Sequence, residues 1–185
     1  MPTSPIIVVL SGPGGAGKGT VARAVAEADP HLSLSRSWTT RQPRVEDAGD
    51  DYVFVDEATF RAKVADDGFL EWAEFLGNLY GSPRPEEGSD DVLLLEIELQ
   101  GARQVLEREP KATLILLLPP SEEEQAARLR ARGDDEAHVE RRLAKGREEA
   151  AEGRAIAHHV VTNQDLGEAI AEVRGIIEAL RSQRA

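Results

Sequence analysis

Ile6–Thr20, IIVVLSGPGGAGKGT, is the stretch from which the rest of the chain can be read. Its opening run, Ile6–Leu10, is four β-branched residues and a leucine. That is too short for a buried helix and suits a strand covered on both faces. The run leads directly into Gly12–Lys18, GPGGAGK, which fits the phosphate-loop pattern GxxxxGK. Glycines let successive backbone amides turn inward toward one anion, and the next helix adds the positive end of its dipole. Lys18 can then meet the terminal phosphates as a point charge. The competing reading is a flexible glycine turn with an exposed lysine; an entering strand and a leaving helix argue against it.

Composition narrows the classes of function. The chain has 185 residues, enough for one domain with a sizeable core. It contains no cysteine, which removes thiol catalysis, disulfides and cysteine metal sites and suits a reducing compartment. The N-terminal MPTSPIIVVLSG has no basic segment and too short an apolar run for a signal peptide. The next apolar run, TLILLLPP, is too short to cross a bilayer, so a cytoplasmic protein without membrane partners is expected. Net charge is −12, from 34 acidic and 22 basic residues, so nucleic acid is not an expected partner. Any phosphate must be held by locally placed Arg and Lys against the global field.

Buried strands are predicted at Ile6–Leu10, Val92–Ile97, Thr113–Leu118 and His159–Thr162, each bounded by turn residues. Helices are predicted at Gly17–Glu27, Gln100–Glu109, Ser121–Arg132, Glu136–Glu152 and Asp165–Arg181, with SEEE at Ser121 as an N-cap signature. This alternation predicts an α/β fold, a parallel sheet with helices on both faces. Residues 33–88 break the rhythm with short apolar runs rich in Gly, Pro and aromatics. They are expected to form an inserted lobe of short strands and one helix, Asp56–Asp66.

The lobe carries the next cluster, Ser35–Arg44, SRSWTTRQPR. Arg41 and Arg44, three apart beside a stiffening proline, can converge on one dianion. The competing reading, weaker even for the cluster alone, is a surface turn with solvated arginines. Downstream stand Gly49–Phe54 (GDDYVF), Phe69–Phe75 (FLEWAEF) and Gly77–Ser82 (GNLYGS). Together these strongly resemble the guanylate kinase signature S-x-TTR-x-PR, G-x-DY-x-F, FLEWA-x-F-x-GN-x-YGS, present in order over about Ile6 to Leu166. The resemblance implies a single P-loop kinase domain over residues 1–185. Its parallel core would comprise residues 1–32, 91–125 and 156–185, with a small mixed-β acceptor lobe at about 33–90 and a helical lid at about 126–155. The activity implied is transfer of the γ-phosphoryl of ATP to GMP, with Mg²⁺, by a monomer or homodimer of purine nucleotide metabolism.

By the same resemblance, ATP would be held by Gly12, Pro13, Gly14, Gly15, Ala16, Gly17, Lys18, Gly19 and Thr20, with Arg128, Arg132 and Asn163. The GKGT form, with glycine where many NTPases carry the Mg²⁺-binding hydroxyl, also resembles adenylate and cytidylate kinases. Thr20 is the nearest hydroxyl. Ser37, Arg41, Arg44, Tyr52 and Tyr80 would grip the GMP phosphate, while Glu71 and Ser82 would read the base. Guanine offers N1–H and N2–H₂ donors that one carboxylate accepts together, whereas adenine would set an unprotonated N1 against it. Without the family, Glu71 reads equally as a helix-end carboxylate, and the tyrosines as core residues with satisfied hydroxyls. Lys18, Arg41, Arg132 and Arg142 would supply the positive charge that phosphoryl transfer needs, the latter two from a mobile lid.

Val92–Gly101, VLLLEIELQG, resembles the family's strand carrying LEID-x-QGA. Period-two spacing puts Glu96 and Glu98 on one strand face. Glu96 is expected near the metal's hydration shell and Glu98 at the metal or the acceptor nucleoside. One departure stands out: only PRPEEGSDD separates Ser82 from Val92. Its prolines and glycine exclude the helix that the family places there. A different phosphorylated acceptor, or a non-catalytic protein-binding module of the same fold, are the alternatives. Such modules typically lose the phosphate loop that is intact here.

Overall fold

The computed structural model describes residues 4–43, 52–75, 77–85 and 91–184. In chain order the elements are β1 (Ile6–Ser11), α1 (Lys18–Glu27), β2 (Leu32–Leu34), β3 (Ser37–Thr39), β4 (Tyr52–Phe54), α2 (Glu57–Ala65), β5 (Phe69–Phe75) and β6 (Asn78–Pro83). Then come β7 (Val92–Glu96), α3 (Leu99–Arg108), β8 (Thr113–Leu118), α4 (Glu122–Ala131), α5 (Glu136–Ile156), β9 (His159–Thr162) and α6 (Leu166–Arg184).

The main sheet is parallel, in the order β2-β7-β1-β8-β9. Apolar runs without alternation make it so, because both faces are covered. Val8 and Leu10 of β1, Leu94 of β7 and Ile115 and Leu117 of β8 pack with Ala22 and Val25 of α1 and Val173 and Ile177 of α6. Their neighbours Val9, Leu93, Leu95 and Leu114 point the other way, onto Ala102 and Val105 of α3. The chain visits one side of β1 for β2 and β7, then the other for β8 and β9. The loop after β1 therefore sits where strand order reverses, the place at which open parallel sheets form their crevice.

The four strands and the helices predicted around them are present, with ends differing by a few residues. The short edge strand β2 was not foreseen; three residues carry too little pattern to read. One expectation is corrected. β7 ends at Glu96, and Glu98 is the N-cap residue of α3 with φ −71° and ψ 161°, so the two carboxylates do not share a strand face. The chain leaves the sheet at Ile97, whose N–H donates to Leu10 O at 3.3 Å.

A second sheet, β4-β3-β6-β5, makes the inserted lobe together with α2. Its own small core is aromatic: Phe60 of α2 stacks on Phe69 of β5 at 4.6 Å between ring centroids. Asp56 caps α2, Ser121 caps α4 and Asp135 caps α5, each side chain accepting from the backbone N–H three residues on. The SEEE signature thus starts α4 as expected. α4 and α5 pack through Ala126, Leu129, Val139 and Leu143. Of the stretch joining β6 to β7, residues 86–90 lie outside the described residues. Among the described residues, no helix is long and apolar enough to cross a membrane.

Leu94 is fully buried in β7 and packs under α1 and α6. Leu94→Ala should destabilise the fold by about 2–5 kcal/mol, the usual range for a leucine deleted from a close-packed interior. Urea unfolding should show a lower midpoint with an unchanged slope.

Candidate active site

The loop between β1 and α1 is built from backbone that side chains would obstruct. Gly12 has φ 151°, and a Cβ there would stand 2.0 Å from the carbonyl oxygen of Leu117 in β8. Gly17, the N-cap of α1, has φ 95°, and a Cβ there would meet Asn163 Nδ2 at 2.5 Å. Both positions require glycine, one for close approach and one for left-handed backbone as well. Asn163 comes directly after β9 and is buried; its Nδ2 donates to Ala16 O at 2.8 Å, clasping the loop from below. Arg128 of α4 reaches the same corner, its Nη2 donating to Asn163 O at 3.1 Å.

Lys18 is 9% exposed, and its Nζ donates to Gly12 O at 2.6 Å. Its ion-pair partner is Glu98 at 3.6 Å. Glu98 therefore directs its carboxylate to the loop lysine rather than capping α3. Glu149 of α5 faces the same place. Its carboxyl is pushed up by burial and then by the charge of Glu98, while Lys145 and Lys18 pull it back down. Glu96 Oε2 would lie 3.4 Å from a Cβ on Gly19, so this carboxylate sits beside the first turn of α1, where Thr20 is exposed.

α4 and α5 reach the loop unevenly. Arg142 of α5 brings Nη1 within 3.2 Å of where a Cβ on Gly14 would be, and its Nε pairs with Asp134 at 3.8 Å. Arg132 is exposed at the C-cap of α4 and is not brought to the loop. Gln125, unnoticed in the sequence, is 3% exposed and donates from Nε2 to Gly14 O at 2.7 Å. No motif marks it; it is one polar residue in a charged helix, and only the packing of α4 against the loop reveals it.

In the lobe, Arg41, Tyr52 and Tyr80 come together. The Arg41 guanidinium lies over the Tyr52 ring at 5.5 Å, and Tyr52 meets Tyr80 edge-on at 6.2 Å. Ser37 pairs in register with Tyr52, and Thr39 with Tyr80. Arg44 lies outside the described residues. Glu71 and Ser82 face each other across β5 and β6; Glu71 Oε1 accepts from Ser82 Oγ at 2.7 Å and from Ser82 N at 3.0 Å. Glu71 is 6% exposed. Burial pushes its carboxyl above the ordinary value of 4.5, opposed by the Ser82 hydrogen bonds and by the charge of Arg108.

A buried acid with a raised folded pKa opposes folding once it ionises, so stability declines as pH rises from the unfolded value through the folded one. Glu71→Gln keeps the Ser82 contacts and removes the charge. Thermal unfolding of the ligand-free variant at pH 7 should give a higher midpoint than wild type. The gap should close below about pH 4.5, where both side chains are neutral in both states.

The chain matches the family model described as guanylate kinase over residues 4–180. It is 43% identical over 164 residues to a guanylate kinase of Synechococcus elongatus, covering 85% of this chain and 90% of that protein. It is 45% identical over 186 residues to one of Nitrosomonas europaea, covering 95% and 90%. The crystal structure of guanylate kinase from Anaplasma phagocytophilum superposes with a TM-score of 0.74 at 32% identity, covering 98% of this chain and 87% of that one. A glycine loop over a buried lysine, a lobe carrying Glu71 against Ser82, and likeness along nearly the whole length lead to one conclusion: the chain belongs to the guanylate kinase family.

Proposed function

We infer that this chain is an ATP:GMP phosphotransferase, moving the γ-phosphoryl of ATP to GMP to give ADP and GDP. The observation that carries this reading is the first turn of α3. At its start Glu98 pairs with Lys18 of the phosphate loop. Three residues on, the backbone of Gly101 presses on Glu71 of the lobe, where an added Cβ would stand 2.7 Å from Oε2. Three residues of helix rise only about 4.5 Å. Donor and acceptor machinery therefore meet on one helical turn, as a direct transfer requires.

In this reading the loop amides and Lys18 hold the β- and γ-phosphates, while Ser37, Arg41, Arg44, Tyr52 and Tyr80 hold the GMP phosphate. Arg128 and Asn163 border the adenine side, and Arg132 and Arg142 swing in with the lid, the segment at about 126–155. Lys18 exchanges Gly12 O and Glu98 for phosphate oxygens as the nucleotide arrives. Glu71 accepts the N1–H and N2–H₂ of guanine. Ser82 then turns its hydroxyl from Glu71 toward O6. Transfer itself asks the protein for alignment and positive charge, not for a covalent intermediate. The alternatives, another acceptor or a binding module, are not favoured.

Mg²⁺ belongs to the same reading. Among the described residues there is no group of three metal-ligating side chains. Glu96, Glu98 and Thr20 offer oxygen donors beside the loop, which suits an ion carried mainly by phosphates and water. Bound there, Mg²⁺ neutralises charge on the phosphates. We place the enzyme in the cytoplasm, in purine nucleotide metabolism, acting as a monomer or homodimer.

The deciding experiment is a coupled ADP-release assay with GMP, dGMP, AMP, CMP, UMP and IMP side by side. GMP should be the preferred acceptor; a panel led by another nucleotide would refute the reading. Lys18→Ala should lower turnover roughly a hundredfold or more with an unaltered circular dichroism spectrum. Glu71→Gln should reduce kcat/KM for GMP by about a hundredfold while leaving the KM for ATP unchanged.

A further inference from the structure

We propose that Gln104, Gly101 and Arg108 of α3 are positioning residues that fix Glu71 and so set the base selectivity of the acceptor site. The proposal rests on the reading of Glu71 as the guanine-accepting carboxylate. β5 lies at one edge of the lobe sheet, so β6 supports its backbone from one side only. On the open side α3 supplies side chains in place of a strand. Gln104 Nε2 donates to Trp72 O at 3.0 Å, and Gln104 Oε1 accepts from Trp72 N at 3.4 Å. One carboxamide thus imitates the paired N–H and C=O of a neighbouring strand.

Arg108 Nη1 donates to Phe69 O at 3.0 Å, so the two anchors bracket Glu71 from either side along β5. Between them Gly101 lets the helix close until an added Cβ would stand 2.7 Å from Glu71 Oε2 and 3.0 Å from its Cδ. Positions 101, 104 and 108 are spaced three and four apart, so they form one face of α3. The far end is fixed as well. Arg108 also donates to Asp67 Oδ1 at 3.2 Å, and Arg84 ties Asp67 to Glu109 at the end of α3 with bonds of 3.0 Å on each side.

The need for such a brace lies in the strand itself. Pairing between β5 and β6 is irregular between Phe69 and Glu71, so register alone does not hold the carboxylate. A carboxylate that must meet two donors of one base loses its discrimination when displaced by a fraction of an ångström. The Gln104 carboxamide bonds to the backbone of Trp72 beside Glu71. Arg108 bonds to Phe69 O and Asp67 while its charge acts on the Glu71 carboxyl, so in this proposal their effect on the reaction passes through Glu71.

The test compares wild type, Gln104→Ala, Gly101→Ala and Glu71→Gln with GMP and with IMP, which keeps N1–H and O6 but lacks the N2 amino group. At saturating ATP, Gln104→Ala should raise the KM for GMP about tenfold with a much smaller change for IMP, lowering the preference for GMP. The KM for ATP should stay at the wild-type value. Gly101→Ala should move the preference the same way, and if it does not fold, Gln104→Ala decides alone. If Gln104→Ala keeps the full preference while Glu71→Gln loses it, α3 does not position Glu71 and the proposal is overturned, whatever happens to thermal stability. A Glu71→Gln enzyme that keeps the preference removes the base-reading role itself, and the proposal with it.

Discussion

Parallel pairing in the main sheet is the constraint on which the site depends. When β7, β1, β8 and β9 run the same way in register, their C-terminal ends share one edge. Leu10 stands beside Glu96, Ser11 beside Leu116, and Leu118 beside Thr162. The segment leaving each strand must then meet the segments leaving its neighbours. The glycine loop leaves β1, Glu98 lies just beyond β7 and Asn163 just beyond β9. Residues 147 positions apart in sequence become hydrogen-bond partners, as Asn163 and Ala16 do. An antiparallel arrangement would scatter them to opposite edges.

In the proposed function that shared edge holds anions inside a protein of net charge −12. The chain manages this by placement rather than by number. Lys18 is buried with a carbonyl and a carboxylate as partners. Arg41 lies on aromatic rings, and Arg142 reaches the loop from α5. Glu98 and Glu149 press negative charge against the lysine from two elements. Such a pair keeps an ammonium group fixed at low dielectric while no phosphate is bound, and it would repel an entering phosphate unless the lysine exchanges partners.

The lobe buries one carboxylate, that of Glu71, almost completely. Glu71 meets the hydroxyl and amide of Ser82 on one oxygen and the backbone face of α3 at the other. Its raised pKa shows that these contacts do not fully offset burial. In the proposed function a bound base would offer two further donors, so a feature unfavourable to the empty fold would favour the occupied one.

Much of this was legible in the chain. The apolar runs and turn residues located the main strands and their helices, because continuous burial and helix capping leave local patterns. The GxxxxGK loop was readable since φ and close approach demand glycine at fixed spacing, and the lobe motifs were readable as a family resemblance. Three things were decided only by tertiary structure. β2 was invisible because three residues carry no period. Glu98 was misplaced onto a strand because spacing alone cannot show where a chain leaves the sheet. Gln125 and Gln104 stayed hidden because a glutamine becomes a partner only when packing brings an unpaired backbone group to it. Local sequence determines which backbone conformations are allowed and which faces must be buried. Which polar groups meet is decided only when those faces close, since a hydrogen bond between distant residues has no pattern along the chain.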